Sequence, residues 1–535
     1  MTVRRLTLLT LLLALLPAAS AHAYSRMEST FQDDPKLVYG TAKVRDGALD
    51  ELRALGVQRV RVSVFWNLLA PQASSGTKPS GFDASDPNAY PADGWQRYDD
   101  LIRAILQRGM TVNLNPTAPG PLWAMSGAFD ARIADRTNPS PAEFGAFIAA
   151  LGKRYSGSFT PSGASAPLPR IDYWSIWNEP NQGGWLSPQW SAPGSGGIAQ
   201  SPQQYRRLVG AAWAALQSTG HVPASDTILV GETAPKGTHK AKDRKTRAAA
   251  MDAMRFLRRV YCLNDRMGFL TGTSATRADC PTTPDAAAFV AANPGLFQMT
   301  GYAHHPYELG LAPDRRPDYP DDWVTTGNLG TLTDQLERIM ARYKVQRQAI
   351  PLYLTEFGYQ SYPPDVLGVS LSKQAAYINQ AEYIAYKNRY VKTLAQFLLY
   401  DDGPDPDDQD EDSRWGSSFQ TGLRFGPKSG REGKAKPAYD AYRLPFFLPS
   451  RTADRKRRLA IWGRVRPGGA SGPRTVEVQV RTGKGRYRRL ARYRTSKYGF
   501  LSKRIRVRRD GALRLAWRSG SKTYHSRGIS YRVRR

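Results

Sequence analysis

Between residues 36 and 444, short apolar runs alternate with amphipathic stretches of helical period, eight times over. The runs fall at 36–40, 57–65, 110–115, 171–177, 227–231, 297–304, 351–355 and 395–400. Helical patterns follow at 46–55, 94–108, 141–155, 202–218, 248–262, 328–343, 373–392 and 436–444. Ser140 is placed to cap the third helix. The strand runs lack strict polar alternation, as strands covered on both faces do. Eight strand-then-helix units predict an α/β fold, a closed parallel (β/α)₈ barrel. An open doubly wound sheet is the competitor; it favours a glycine fingerprint after the first strand, and GTAKVRDG is no G-x-G-x-x-G.

Outside that repeat the chain changes character. Residues 1–23 read as a leader: Arg4 and Arg5, an apolar run from Leu6 to Leu16, then Ala21-His22-Ala23 as a small-x-small cleavage site. The run is well short of the roughly 20 residues a membrane span needs, and no later stretch is apolar enough, so a secreted protein without a transmembrane segment is expected. The barrel domain is expected over 24–446 and a linker over 447–458. From 459 to 535 apolar and basic residues alternate with period two, which predicts a small all-β, sandwich-like C-terminal domain. The formal net charge is +30, and residues 451–535 hold 28 Lys and Arg against 3 Asp and Glu. Such a surface suits an anionic cell-envelope polymer, or else serves only as a packed structural sandwich. No recognition helix or RNA-binding aromatic motif appears, so nucleic acid is not expected as a partner. The two cysteines, Cys262 and Cys280, read as a disulfide in an exported protein, with two buried thiols as the alternative.

The stretch IDYWSIWNEP ends an apolar strand with an ionisable carboxylate, Glu179, and a strand-breaking proline. Active sites of parallel barrels lie at the C-terminal ends of the strands. Trp174, Trp177 and Trp185 would desolvate Glu179 there, as a general acid requires. PLYLTEFGY places Glu356 just after the seventh strand, across the mouth from the fourth. Two carboxylates facing one cleft are the equipment of glycosidic-bond hydrolysis, and a separation of roughly 5–5.5 Å selects the retaining, double-displacement route.

The pair W-N-E-P and T-E-F-G resembles the clan A glycoside hydrolases, notably the family 5 and family 39 types, over about 37–444. The resemblance implies Glu179 as acid/base and Glu356 as nucleophile. It implies Asn178 as the ligand of the sugar 2-hydroxyl and Arg61, in VRVSVFW, as the residue that positions the nucleophile. His305 and Tyr307, in AHHPY, match an H-x-Y on strand six, with His304 the competing histidine. No cofactor and no metal is implied; the substrate is a poly- or oligosaccharide, with β linkage expected. A tryptophan common on strand eight is missing from AQFLLY. Phe397, Tyr400, Trp415, Trp66 and Trp123 remain as sugar platforms. The acidic loop 401–412 reads as a calcium site or a solvated loop. A degenerate barrel that binds carbohydrate without cutting it, or a transglycosylase sharing the same covalent intermediate, are the alternatives.

Overall fold

The computed structural model describes residues 27–308, 310–316, 322–346, 349–406, 413–466 and 472–534. The leader, and residues 407–412 of the acidic loop, lie outside them. Eight parallel strands close a barrel: β1 (Glu28–Gln32), β2 (Arg59–Phe65), β3 (Thr111–Thr117), β4 (Tyr173–Ser175), β5 (Thr227–Thr233), β6 (Gly301–His304), β7 (Leu352–Leu354) and β8 (Val391–Phe397). They pair in chain order, and β8 closes on β1. Helices ring the outside. Among them are α1 (Asp34–Leu37), α2 (Ala42–Leu55), α3 (Ala92–Gln107), α4 (Pro141–Arg154), α5 (Ser201–Ser218), α6 (Ala253–Val260), α7 (Leu329–Arg342), α8 (Leu371–Lys387) and α9 (Pro437–Arg443).

One helix shows why these segments fold as they do. In α4, Pro141 occupies the first turn, where its missing N–H costs nothing. The Ser140 hydroxyl accepts from the Glu143 N–H at 3.3 Å. Phe144, Phe147, Ile148 and Leu151 recur at helical spacing and are all buried against the barrel. Phe147 stacks on Trp66 with ring centroids 5.5 Å apart.

Three strands depart from the sequence expectation. The first is ESTFQ at Glu28–Gln32, and residues 36–40 instead enter α1 and the turn after it. The Asp33 carboxylate caps α1 by accepting from the Lys36 N–H at 3.0 Å, which commits DDPKL to a helix start. β1 escapes an apolar pattern because its polar side chains bond inside the barrel, as Gln32 does to Asp34. The eighth strand begins at Val391: the Asn388 side chain accepts from the Tyr390 N–H and ends α8 early. The sixth begins at Gly301, and Phe297 lies in the short helix Pro294–Gln298. Cys262 and Cys280 form the expected disulfide.

The C-terminal part consists of two sheets. β9 (Phe446–Phe447), β11 (Arg458–Arg464) and β14 (Phe500–Arg506) make one. The other runs β10 (Thr452–Ala453), β17 (Ile529–Val533), β15 (Gly511–Ser519), β12 (Thr475–Arg481), β13 (Arg488–Arg494), with β16 (Lys522–His525) on β15. The segment 447–458 thus carries strand β10 and the end of β9 into these sheets. Leu459, Ile461, Leu501 and Ile505 meet Val476, Val478, Leu513 and Leu515 in the core between the sheets. The other face of the three-stranded sheet lies on the barrel domain. There fully buried Trp462 packs against Tyr383 and Tyr386 of α8. Arg464 and Arg466 both pair with buried Glu382, at 3.0 and 2.5 Å. They also reach the Met27 carbonyl and the Ser29 hydroxyl, at the N-terminal end of β1. Among the described residues no helix is long and apolar enough to cross a membrane.

Candidate active site

β4 explains the opening of the site. Its tryptophans belong to the barrel wall: Trp174 meets His221 edge-on, and Trp177 packs on Phe144. Only Trp185 of the three expected to surround Glu179 lines the cleft. After the strand the backbone turns sharply. Trp177 and Glu179 both hold left-handed conformations, with φ of 66° and 35°. Such residues cost of order 1–3 kcal/mol each and survive only where the surroundings impose them. The Glu179 N–H donates to the Glu232 carbonyl at 2.9 Å, which fixes the turn.

Glu356 follows β7 at the same rim, and one oxygen each of Glu179 and Glu356 lie within 4.8 Å of each other. Around them seven polar side chains converge. Arg61, fully buried on β2, donates to Glu356 at 2.7 Å, Asn178 at 2.7 Å, Asn115 at 2.9 Å and Glu232 at 3.0 Å. It also donates to Gln32. Tyr307 donates its phenolic hydrogen to Glu356 at 3.0 Å. His305 bonds Glu179 through Nδ1 at 2.9 Å and Glu232 through Nε2 at 2.7 Å, and its Nδ1 lies 3.6 Å from Glu356.

Histidine 304 takes a different part. It is buried outside the cleft, donating from Nε2 to the Val324 carbonyl at 3.0 Å and accepting from Thr233 at 2.9 Å. Burial pushes its imidazole down to about 3, so it is neutral. In His305 burial opposes the charge too, but Glu356, Glu179 and Glu232 overcome it and raise the imidazole to about 10. Both nitrogens face carboxylate acceptors, so both carry hydrogen and His305 is an imidazolium.

Glu232 is the residue that sequence reasoning missed. It lies wholly buried at the end of β5 and accepts from Arg61, His305 and Thr355. Burial disfavours its charge; Arg61 and His305 outweigh that and hold the carboxyl at about 2. A register shift between Val230 and Thr233 throws this side chain inward. Gly231 makes the bulge feasible: its φ is 117°, and a Cβ there would stand 2.5 Å from the Ala303 carbonyl. The signal was present in TILVGETA, a glutamate ending a barrel strand just as WNE and LTE do. Burial raises the pKa of Glu356, with Glu179 and Glu232 adding to it, against the pull of His305 and Arg61. Three carboxyl groups therefore share two cations.

The cleft above this network has a volume of about 520 Å³. Asn178, Glu179, Tyr307 and Glu356 form its floor, and Tyr39, Phe65, Trp185, Phe397 and Phe419 supply apolar walls. Phe397 thus lines the cleft as one of the expected platforms. Trp66 is fully buried, Trp123 packs edge-on against it, and neither Trp415 nor Tyr400 reaches the cleft. In the described part of the acidic loop, Asp401 is bound to Lys436 at 2.6 Å. Asp402 lines the cleft, its carboxyl pushed up to about 6 by burial. Glu179, His305 and Glu356 each offer a metal-ligand atom within 4.8 Å of the others, but both His305 nitrogens are already bonded to carboxylates.

No protein-family model matches this chain, and no curated protein matches its sequence. Solved structures do align with it. A family 39 glycoside hydrolase from Bacteroides cellulosilyticus WH2 aligns over 89% of this chain and 80% of its own, at 12% identity and TM-score 0.43. The GH39 enzyme from Xanthomonas axonopodis pv. citri aligns over 90% and 92%, at 14% and 0.46. A family 1 β-glucosidase from Thermotoga maritima aligns over 74% and 83%, at 14% and 0.43. At these scores the likeness carries no argument of its own; the functional reading rests on the site.

Proposed function

We propose that this protein is a retaining glycoside hydrolase acting on an oligo- or polysaccharide outside the cell. The observation that carries the reading is the approach of Glu179 and Glu356 to within 4.8 Å at the mouth of one cleft. That is the spacing of a carboxylate pair serving one sugar ring without room for an intervening water. Glu179 gives its proton to the glycosidic oxygen while Glu356 attacks the anomeric carbon, and the bond to the leaving sugar breaks. The glycosyl–Glu356 ester then meets water. Glu179, now a carboxylate, takes a proton from that water as its oxygen bonds to the anomeric carbon, and Glu356 leaves.

The surrounding groups suit these roles. Arg61, Tyr307 and the His305 imidazolium counter the cost of a buried charge on Glu356 and keep it ionised for attack. Arg61 has no acceptor, so Asn178 turns its Oδ1 to it and leaves its N–H₂ for a sugar hydroxyl. Glu232 is a positioning residue. It touches no substrate, but it clamps His305 and Arg61 from below and so orients both reacting carboxylates. The leader sequence and the disulfide fit an exported enzyme.

Kinetics of two variants test the assignment. Glu356→Ala should lose turnover, and azide should restore it, giving a glycosyl azide of inverted configuration. Glu179→Ala should lose roughly 10²–10⁴-fold on alkyl glycosides and far less on activated aryl glycosides. Wild-type turnover in Glu356→Ala contradicts the reading.

A further inference from the structure

The outer layer of the molecule has a chemistry unlike that of the cleft. In β12 the valines 476, 478 and 480 point into the sandwich, so Glu477, Gln479 and Arg481 face outward. Directly paired residues share a face. Arg492 stands opposite Glu477, Arg489 opposite Gln479 and Arg494 opposite Thr475 on β13. On the other flank Arg514 of β15 stands opposite Gln479. Arg532 of β17 lies two residues beyond Ser530, which pairs with outward Ala512. Six arginines thus form a grid, spaced by about 4.8 Å between strands and about 7 Å along them.

The grid is ordered and weakly neutralised. Among the described residues of this face the acids are Glu477, bonded to Arg492 at 3.0 Å and near Arg489 at 3.5 Å, and Asp510, which shares a groove with Arg481 and Arg532. The guanidiniums of Arg481 and Arg514 lie over the Tyr487 ring, at 5.0 and 4.1 Å from its centroid. The three-stranded sheet separates this layer from the barrel domain. It also meets the N-terminal end of β1, whereas the glutamates sit at the C-terminal ends of the strands.

The cleft carries the opposite sign. Besides the reacting pair, Asp34, Asp402 and Glu308 line it, and among the described residues its one lining cation, Lys236, is tied to Glu308 at 3.1 Å. An anionic sugar chain is repelled there and attracted to the arginine face.

From this opposition we infer that the outer face of the C-terminal sheet docks an anionic polysaccharide, one bearing carboxylate or phosphate groups, that is not the chain cut in the cleft. Among its described residues the face offers no helix for a nucleic-acid groove, and Tyr487 is already covered by two guanidiniums. The notion of a separate substrate rests on the hydrolase reading; the docking itself does not.

Binding of the full-length protein to immobilised polygalacturonate tests it, with duplex DNA as the competing matrix. Retention should weaken steadily as salt rises. The variant Arg481→Gln/Arg489→Gln/Arg492→Gln/Arg494→Gln should bind at least 10-fold more weakly. A control that loses the same charge from exposed barrel positions, Lys43→Gln/Arg53→Gln/Lys344→Gln/Lys373→Gln, should elute with the wild type. Both variants should keep wild-type turnover on a soluble neutral aryl glycoside. Equal loss in the control, salt-independent retention, tighter binding to DNA, or reducing ends released from polygalacturonate would each overturn the inference. A protein that binds in this pattern but cleaves no glycoside contradicts the hydrolase reading and leaves the docking face standing.

Discussion

At the scale of single residues, the site is a problem in charge sharing. Three carboxyl groups and two cations meet in a buried volume, and Arg61 and His305 oppose the cost of burying charge on Glu232 and Glu356. Glu232 contacts both cations from beneath the cleft, bonding His305 at 2.7 Å and Arg61 at 3.0 Å. Replacing it by Gln removes a charge from beside His305, so the imidazole should lose its proton at lower pH. Steady-state kinetics of Glu232→Gln should show kcat reduced by roughly 10²-fold, KM little changed, and the alkaline limb of the pH profile moved to lower pH. An unmoved alkaline limb assigns Glu232 to packing alone. Stability should follow the same groups. His305, at about 10 in the fold against an ordinary 6.5, contributes fully below pH 6.5 and loses its contribution as pH climbs to 10. Glu232, at about 2 against 4.5, contributes above pH 4.5 and loses it as pH falls toward 2. The Tm difference between wild type and Glu232→Gln should therefore shrink below pH 4.5; a constant difference down to pH 2 contradicts this. The meeting of Glu179 and Glu356 was legible from sequence because both end an apolar strand, and strand order fixes where those ends point. Glu232 ends a strand in the same way, but its place beneath the other two depends on the bulge at Gly231, which no strand period announces.

At the scale of elements, legibility followed burial chemistry. The helices with a single apolar face were read to within a few residues, as α4 shows, since spacing alone determines which side is covered. β1 was not, because Ser29, Thr30 and Gln32 are buried polar residues that leave no apolar signature, Ser29 meeting Arg466 and Gln32 meeting Asp34, Ser63 and Arg61 from distant or neighbouring elements. The docking of the C-terminal sheets also escaped the sequence, since one glutamate on α8 meets two arginines more than eighty residues away. That contact makes a strong prediction. Glu382→Ala leaves two buried guanidiniums without their partner and should cost about 3–5 kcal/mol in denaturant unfolding. A loss under 1 kcal/mol would mean that water reaches these arginines and that the interface is looser than described.

At the scale of the whole molecule, the barrel presents an acidic, aromatic-walled cleft at one end, and a basic layered sandwich is fixed near the other. The period-two alternation after residue 459 announced the sandwich, and the eight-fold repeat announced the barrel. What neither announced was their relative placement, which depends on Trp462, Arg464 and Arg466 facing away from the sandwich core. The functional account depends on Glu356 becoming bonded to the sugar. A panel of activated 2-deoxy-2-fluoro glycosides should include one that inactivates the protein with time, and peptide mass spectrometry should then find the fluorosugar esterified to Glu356. Label on any other residue, or inactivation that proceeds equally in Glu356→Ala, contradicts the account.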